Sequence, residues 1–257
     1  MSIHLEQEVA DFSERRLRLA TAITDYADWL DRQHGIDAER TLRLTDAAAS
    51  LRQDKLVVAF VAEFSRGKTE LINALFFADH GQRLLPSEAG RTTMCPTELF
   101  ANADESPSLS LLPIETRRRS ESLAQLKRMP IEWVRMPLDP ADPRQLQESL
   151  KKLTETRALP APDAIELGLW DPADESARHQ LHADGTVDVP AWRYALVNYP
   201  HPLLQAGLTI LDTPGLNALG AEPELTLSVI PNAHAVMFVL ATDTGVTRSD
   251  LEIWQKH

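Results

Sequence analysis

Apolar residues fall at Leu5, Val9, Phe12, Leu19, Ile23, Tyr26 and Leu30, a four-three-four-three spacing broken only where Arg16 occupies the seam. That spacing predicts a long amphipathic helix. Gly35 is its stop, and Leu42, Leu44, Ala47, Ala48 and Leu51 predict a second helix to about Gln53. The two helices either pack on the domain behind them or belong to a helical bundle completed by residues outside this chain. At residues 56–62 the pattern changes to a continuous valine-rich run, which suits a buried parallel strand covered on both faces. A helix over 68–77 follows, with Leu71, Leu75, Ile72 and Phe76 spaced for burial. Short strands are expected at 97–101 and 109–114, and helices at about 120–127 and 145–154 around the proline-rich PLDPADP. Residues 159–189, rich in Asp, Ala and Pro, read as a loop. Strands then recur at 192–198, 208–211 and 235–240, the last very apolar. Ser249 and Glu252 form a capping box that starts a helix near Asp250. A strand and one helical turn are an unusual finish for an α/β sheet, so the sequence is expected to be the front part of a longer protein.

The 257 residues carry a formal charge of −12, with 43% hydrophobic and 25% charged side chains. This is a globular composition, long enough for one large domain with an appendage. The acidic balance argues against generic nucleic-acid binding, which relies on Lys and Arg neutralising phosphates. One cysteine, Cys95, excludes an internal disulfide framework, and the N-terminus lacks the apolar stretch of a secretory signal. Apolar runs such as 235–241 are far shorter than the ~20 residues that span a bilayer. The expected location is the cytoplasm.

The chemistry is concentrated in three places. Ala62, Glu63, Phe64, Ser65, Arg66, Gly67, Lys68 and Thr69 fit the phosphate-loop pattern G-x-x-x-x-G-K-[ST], with alanine in place of the first glycine. Successive backbone N–H groups there wrap a phosphate, Lys68 supplies a point charge, and the Thr69 hydroxyl joins the shell of a Mg²⁺ ion. The helix that follows aims its positive end at the anion. Asp212-Thr213-Pro214-Gly215, directly after the apolar run LTIL, has the form D-x-x-G, in which the aspartate serves the metal and the glycine N–H the γ-phosphate. Between the two lie Thr92 and Thr93, one of whose hydroxyls completes the metal shell. Thr93 is the favoured one.

Together EFSRGKTELINALF, GRTTMCPTEL, HPLLQAGLTILDTPGLNALG and VLATDTGVTRSDLEIW resemble the bacterial dynamin-like GTPases of the dynamin superfamily, over about residues 55–257. The resemblance implies an α/β fold: a P-loop NTPase three-layer sandwich with a mixed, mostly parallel sheet, preceded by N-terminal helices of a helical bundle. It divides the chain into a helical segment at 1–53 and a GTPase domain at 54–257 that carries an insertion at about 115–190 and is truncated before the guanine-reading motif. It implies GTP and GDP as ligands, Mg²⁺ held by Thr69, Thr93 and Asp212, and nucleotide-controlled homodimerisation or higher self-assembly. It also implies membrane contact, at the inner face of the cell membrane, through regions outside this chain. Small GTPases carry a water-orienting glutamine after the D-x-x-G glycine. Leu216 stands there instead, so the resemblance points to Thr93, to Ser65 as holder of a monovalent cation, and to a facing GTPase domain. Arg66 is either an arginine finger or an exposed residue that attracts nucleotide. An ATP-using P-loop enzyme and a nucleotide-gated scaffold with negligible turnover are the competing readings.

Other candidates have plainer explanations. Asp243, Thr244 and Gly245 make a strand-to-helix turn or a loop beside the nucleotide. Cys95 is a packing residue, His201 and His234 lack metal-ligand spacing, and Trp133, Trp170, Trp192 and Trp254 are core residues rather than a ligand platform. The run Arg117-Arg118-Arg119 is either a solvated face or a patch for a membrane or partner.

Overall fold

A computed structural model of the chain describes residues 2–32, 44, 45, 47, 48, 51, 55–62, 66–86, 95–173, 180–214, 233–240, 242, 245–247 and 251. The chain forms two compact units, one of residues 1–56 with 202–208 and one of 57–201 with 209–257.

In the first unit the predicted helix is α1, Ser2–Arg32. Arg16 and Ala20 are buried, and the Arg16 guanidinium donates to the Lys55 carbonyl at 3.2 Å. The arginine that interrupts the apolar seam is therefore a buried hydrogen-bond donor. Phe12, Leu19 and Tyr26 stay 39–53% exposed on the flank. Gly35 and most of the second predicted helix lie outside the described residues, although 44, 45, 47, 48 and 51 are helical.

The second unit is built on a seven-stranded mixed sheet. Its strands are β1 (Leu56–Val61), β2 (Thr97–Phe100), β3 (Ser108–Pro113), β4 (Val134–Pro137), β7 (Trp192–Asn198), β8 (Leu208–Asp212) and β9 (Ala235–Phe238), in the order β4-β3-β7-β2-β8-β1-β9. Pairs β1–β9 and β2–β7 are parallel. Pairs β2–β8, β3–β4 and β3–β7 are antiparallel. The mixed sheet agrees with expectation, and within it β2 and β3 run against their neighbours β8 and β7. Helix α2, Lys68–Phe76, buries Ile72, Phe76 and Asn73. Each of the two apolar side chains contributes about 1.5–3 kcal/mol by leaving water. Leu75, the other half of the expected apolar face, is 42% exposed.

Between β3 and β7 the chain forms α3 (Leu123–Leu126), β4, α4 (Pro143–Lys151), β5 (Thr156–Pro160), α5 (Ala161–Glu166) and β6 (Thr186–Pro190). The predicted loop over 159–189 is corrected here: β5 and β6 pair antiparallel, and Ile114, Ala164, Leu167, Leu169, Val187 and Val189 close a small core of their own with Leu159 and Trp170. The prolines suggested a loop, yet Pro162 sits in the first turn of α5, where a missing N–H costs nothing, and Pro160 and Pro190 end strands. The arginine run is tied into this substructure. Arg117 donates to the Leu167 carbonyl at 2.9 Å, Arg118 pairs with Asp163 and Glu166, and Arg119 pairs with Glu121 and Glu132. Among the described residues no helix is long and apolar enough to cross a membrane.

Candidate nucleotide site

Strand β1 grows more buried toward its end, and Ala62, the residue after it, is fully buried. Glu63, Phe64 and Ser65 lie outside the described residues, and Arg66 is half-exposed. Gly67 has φ +81° and ψ 12°, the left-handed conformation, and caps α2. A Cβ added to it would meet nothing within 4 Å. Within the protein, glycine is thus required by the backbone twist and not by crowding, at a cost of roughly 1–2 kcal/mol for any other residue. The twist starts α2 abruptly and sets Lys68 and Thr69 in its first turn, only 7% and 6% exposed.

Strand β8 is buried along its whole length and delivers Asp212 and Thr213 to the same place. The Lys68 ammonium donates to Asp212 Oδ1 and to the Thr213 carbonyl. The Thr213 hydroxyl donates to the carbonyl of Phe60 in β1 at 2.8 Å. Two strand ends and one helix start are therefore fastened by a single lysine and a single threonine. In the antiparallel register of β2 on β8, Thr97 stands opposite Asp212, so β2 begins at this end of the sheet. Thr93 is four positions earlier in the sequence; Thr92, Thr93, Gly215 and Leu216 lie outside the described residues. Strand β9 runs parallel to β1 and reaches the same end, where the Val239 N–H donates to the Val61 carbonyl at 2.9 Å. Of the turn beyond it, Gly245 is described, at φ +62°, and Asp243 and Thr244 are not.

The Lys68–Asp212 pair places two opposite charges almost out of water. Removing one partner of such a pair leaves an uncompensated charge and costs about 3–5 kcal/mol. Among the described residues, the oxygens here that could serve a cation are the Asp212 carboxylate, now paired with Lys68, and the Thr69 hydroxyl. Hard oxygens in this small number fit Mg²⁺, which keeps most of its shell as water and phosphate oxygen. No group of three or more His, Cys, Asp or Glu that could cage a metal occurs among the described residues. Cys95 is buried beside this region, and burial first, with the charge of Asp212 adding to it, pushes its thiol up to about 12. A thiol held neutral is a packing group, not a nucleophile.

Sequence reasoning missed three supports of the site. Thr213 stood inside D-x-x-G, and its hydroxyl was the available signal. Asn73, buried on α2, accepts from the N–H groups of Leu84 and Leu85 at 3.2 and 2.8 Å and donates to the Leu85 carbonyl at 2.9 Å. It fastens the segment that leads toward residues 87–94. Glu98 on β2 receives Lys127 and, at 3.3 Å, the Tyr194 hydroxyl. Burial, then the charge of Glu98, raises the Tyr194 phenol well above its usual range. The histidines serve structure: His234 Nδ1 accepts from the Val57 N–H at 3.1 Å, and His201 packs edge-on against Phe76. Trp133 donates to the Leu126 carbonyl at 2.9 Å, and Trp254 lies outside the described residues.

The sequence profile described as the Dynamin family matches residues 58–257. A bacterial dynamin-like protein of Nostoc punctiforme is 27% identical over 204 residues, 79% of this chain and 23% of that protein. The isoniazid-induced protein IniA of Mycobacterium tuberculosis is 43% identical over 60 residues, 23% of this chain and 9% of its own length. The chain thus spans about a quarter or less of these relatives. Two solved structures, both of an oligomerised bacterial dynamin pair described as sensing and tethering membranes, align with TM-scores of 0.44 and 0.43 at 14% and 15% identity. They cover 95% and 94% of this chain and 36% and 30% of those chains.

Proposed function

This chain belongs to the dynamin family of GTPases, and we propose that residues 54–257 form a GTPase domain that binds GTP with Mg²⁺ and hydrolyses it. Residues 1–53 are then an element of a helical bundle, and 115–190 an insertion within the GTPase domain. The observation that carries this reading is the meeting of Lys68, at the start of α2, with Asp212 and Thr213, at the end of β8.

In this reading the β-phosphate sits against the backbone N–H groups around Gly67, Lys68 and Thr69, in the positive field of the α2 N-terminus. Lys68 turns its ammonium to the β- and γ-phosphates. Bound Mg²⁺ supplies charge neutralisation across those phosphates. Thr69, Asp212 and Thr93 would hold that ion. The Gly215 N–H reads the γ-phosphate. Because the Leu216 side chain offers no hydrogen bond, the attacking water is oriented by Thr93 and by Ser65, which would hold a monovalent cation, while Arg66 either meets charge developing in the transition state or is an exposed residue that draws nucleotide in. A second GTPase domain faces the site, so hydrolysis depends on self-association. In the longer protein this cycle drives membrane remodelling or tethering from the cytoplasm.

The test is phosphate release from GTP at increasing protein concentration. Specific activity should rise with concentration, and Lys68→Ala should abolish both turnover and tight nucleotide binding. Equal use of ATP would move the chain to the neighbouring enzyme class, and tight binding with no turnover would make it a nucleotide-gated scaffold.

A further inference from the structure

The insertion returns to the neighbourhood of β2 through α4 and the turn after it, Lys152–Thr154. The Gln82 side-chain amide donates to the carbonyl of Pro143, the first residue of α4, at 3.0 Å. One turn further along, the Gln147 amide donates in the opposite direction, to the carbonyl of Arg83 at 3.2 Å. Past the end of the helix, the Leu153 carbonyl accepts from the Cys95 thiol at 4.0 Å. One short piece of chain therefore touches residues 82 and 83 and also residue 95, on either side of residues 87–94.

That piece is itself well fixed. Asp142 caps α4 by accepting from the N–H groups of Arg144 and Gln145, and Pro143 fills the first position, where no N–H is needed. Leu146, Leu150 and Leu153 are buried, and the Gln145 amide ties the first turn to the Pro137 carbonyl of β4 at 2.9 Å. The contacts it makes on the two flanks differ in kind. Cys95 is buried, and its neighbour Pro96 accepts from the Ala195 N–H of β7 at 2.9 Å. The two glutamine bonds are open to water, which competes for both partners, so they add less to stability than the buried bonds of Asn73. Their effect is geometric: they set where residues 82 and 83 lie along α4. Lys68 takes its place from α2, Asp212 and Thr213 instead, so phosphate binding has a separate support.

We propose that α4 is a splint for residues 87–94: by holding both flanks of that stretch, the insertion sets the rate of GTP turnover and leaves nucleotide affinity alone, with Gln82 and Gln147 as positioning residues. The proposal gives the insertion a part in the reaction, and it rests on the reading of Thr93 as a residue that serves metal and water.

The test is made on the whole chain with the Gln82→Met, Gln147→Met double variant, which keeps side-chain length and deletes both amides. Its kcat for GTP should fall about three- to tenfold. Its Kd for a non-hydrolysable GTP analogue in Mg²⁺ should stay unchanged, and its melting temperature should move by less than ~3 °C. Changing the second substitution to Gln147→Lys, whose ammonium reaches the same carbonyl, should recover part of the rate. An unchanged kcat, a loss of affinity equal to the loss of kcat, or a larger drop in melting temperature overturns the proposal. Labelling of Cys95 by an aromatic disulfide reagent at pH 8 reads the other flank without turnover. The double variant should react faster than the unaltered protein, and equal rates overturn the splint. Should the unaltered protein release no phosphate, or Thr93→Ala turn over GTP as fast as the unaltered protein, the reading of Thr93 fails, and the Cys95 rates alone decide whether α4 joins the two flanks.

Discussion

Replacing Asn73 with alanine removes a side chain that is 5% exposed and makes three hydrogen bonds to the main chain of Leu84 and Leu85. Those two residues are 1% and 3% exposed. Two N–H groups and one carbonyl thereby lose partners at a place that water enters poorly. Each orphaned buried group costs about 1–3 kcal/mol, and partial relaxation of residues 84–85 recovers some of it, so we expect a net loss of about 3 kcal/mol. For a domain of this size each kcal/mol moves the melting temperature by about 2–4 °C, which gives a drop of roughly 6–12 °C by calorimetry. Asn73→Asp separates the contributions, because its carboxylate still accepts from both N–H groups but cannot donate to the Leu85 carbonyl. It should melt between the two. GTP turnover of Asn73→Ala, measured well below its transition, should fall as well, because the segment entering residues 87–94 loses its anchor to α2. A shift under ~2 °C for the alanine variant would refute the claim that this side chain carries the segment.

Two further outcomes follow from geometry already given. Thr213→Val keeps the shape and deletes the hydroxyl that reaches Phe60, so it should raise the KM for GTP in Mg²⁺ several-fold, and Thr213→Ser should restore it. Equal kinetics for valine and serine would show that the hydroxyl positions nothing. The Cys95 thiol, pushed up from its ordinary 9.0 to about 12 by burial, should resist aromatic disulfide reagents at pH 8 and react at once in denaturant. Because the folded state holds this proton more tightly than the unfolded state, its contribution to stability is whole below pH 9 and is lost as pH climbs toward 12. Fast labelling of the folded protein at pH 8 would contradict the burial.

The parts of the fold that could be read from the chain are those in which one signal acts alone. The valine run of β1, the alternation of Trp192, Tyr194, Leu196 and Asn198 in β7, and the short run ending at Asp212 all became strands close to the expected limits. The glycine before Lys68 marked the helix start because only the left-handed region puts that lysine where it is. Strand β4 escaped because its four residues include an arginine and a proline at a sheet edge, where alternation has little to bury. The pairing of β5 with β6 escaped because it joins segments some thirty residues apart, and no local pattern announces a partner at that distance. Strand β9 is a different failure. Its apolar run reads as core, yet Val236 and Met237 are 47% and 43% exposed, because composition cannot say whether a strand lies inside a sheet or at its end.

That outermost position of β9 also governs how the protein behaves in the tube. Among the described residues β9 ends the sheet, and an apolar strand in that position can template further strand addition. The countervailing force is colloidal: molecules that each carry a charge of −12 repel one another. Salt shortens the range of that repulsion and leaves the strand untouched. Concentrated stocks should therefore stay clear in dilute buffer and turn turbid as ionic strength rises, the reverse of an assembly held by ion pairs.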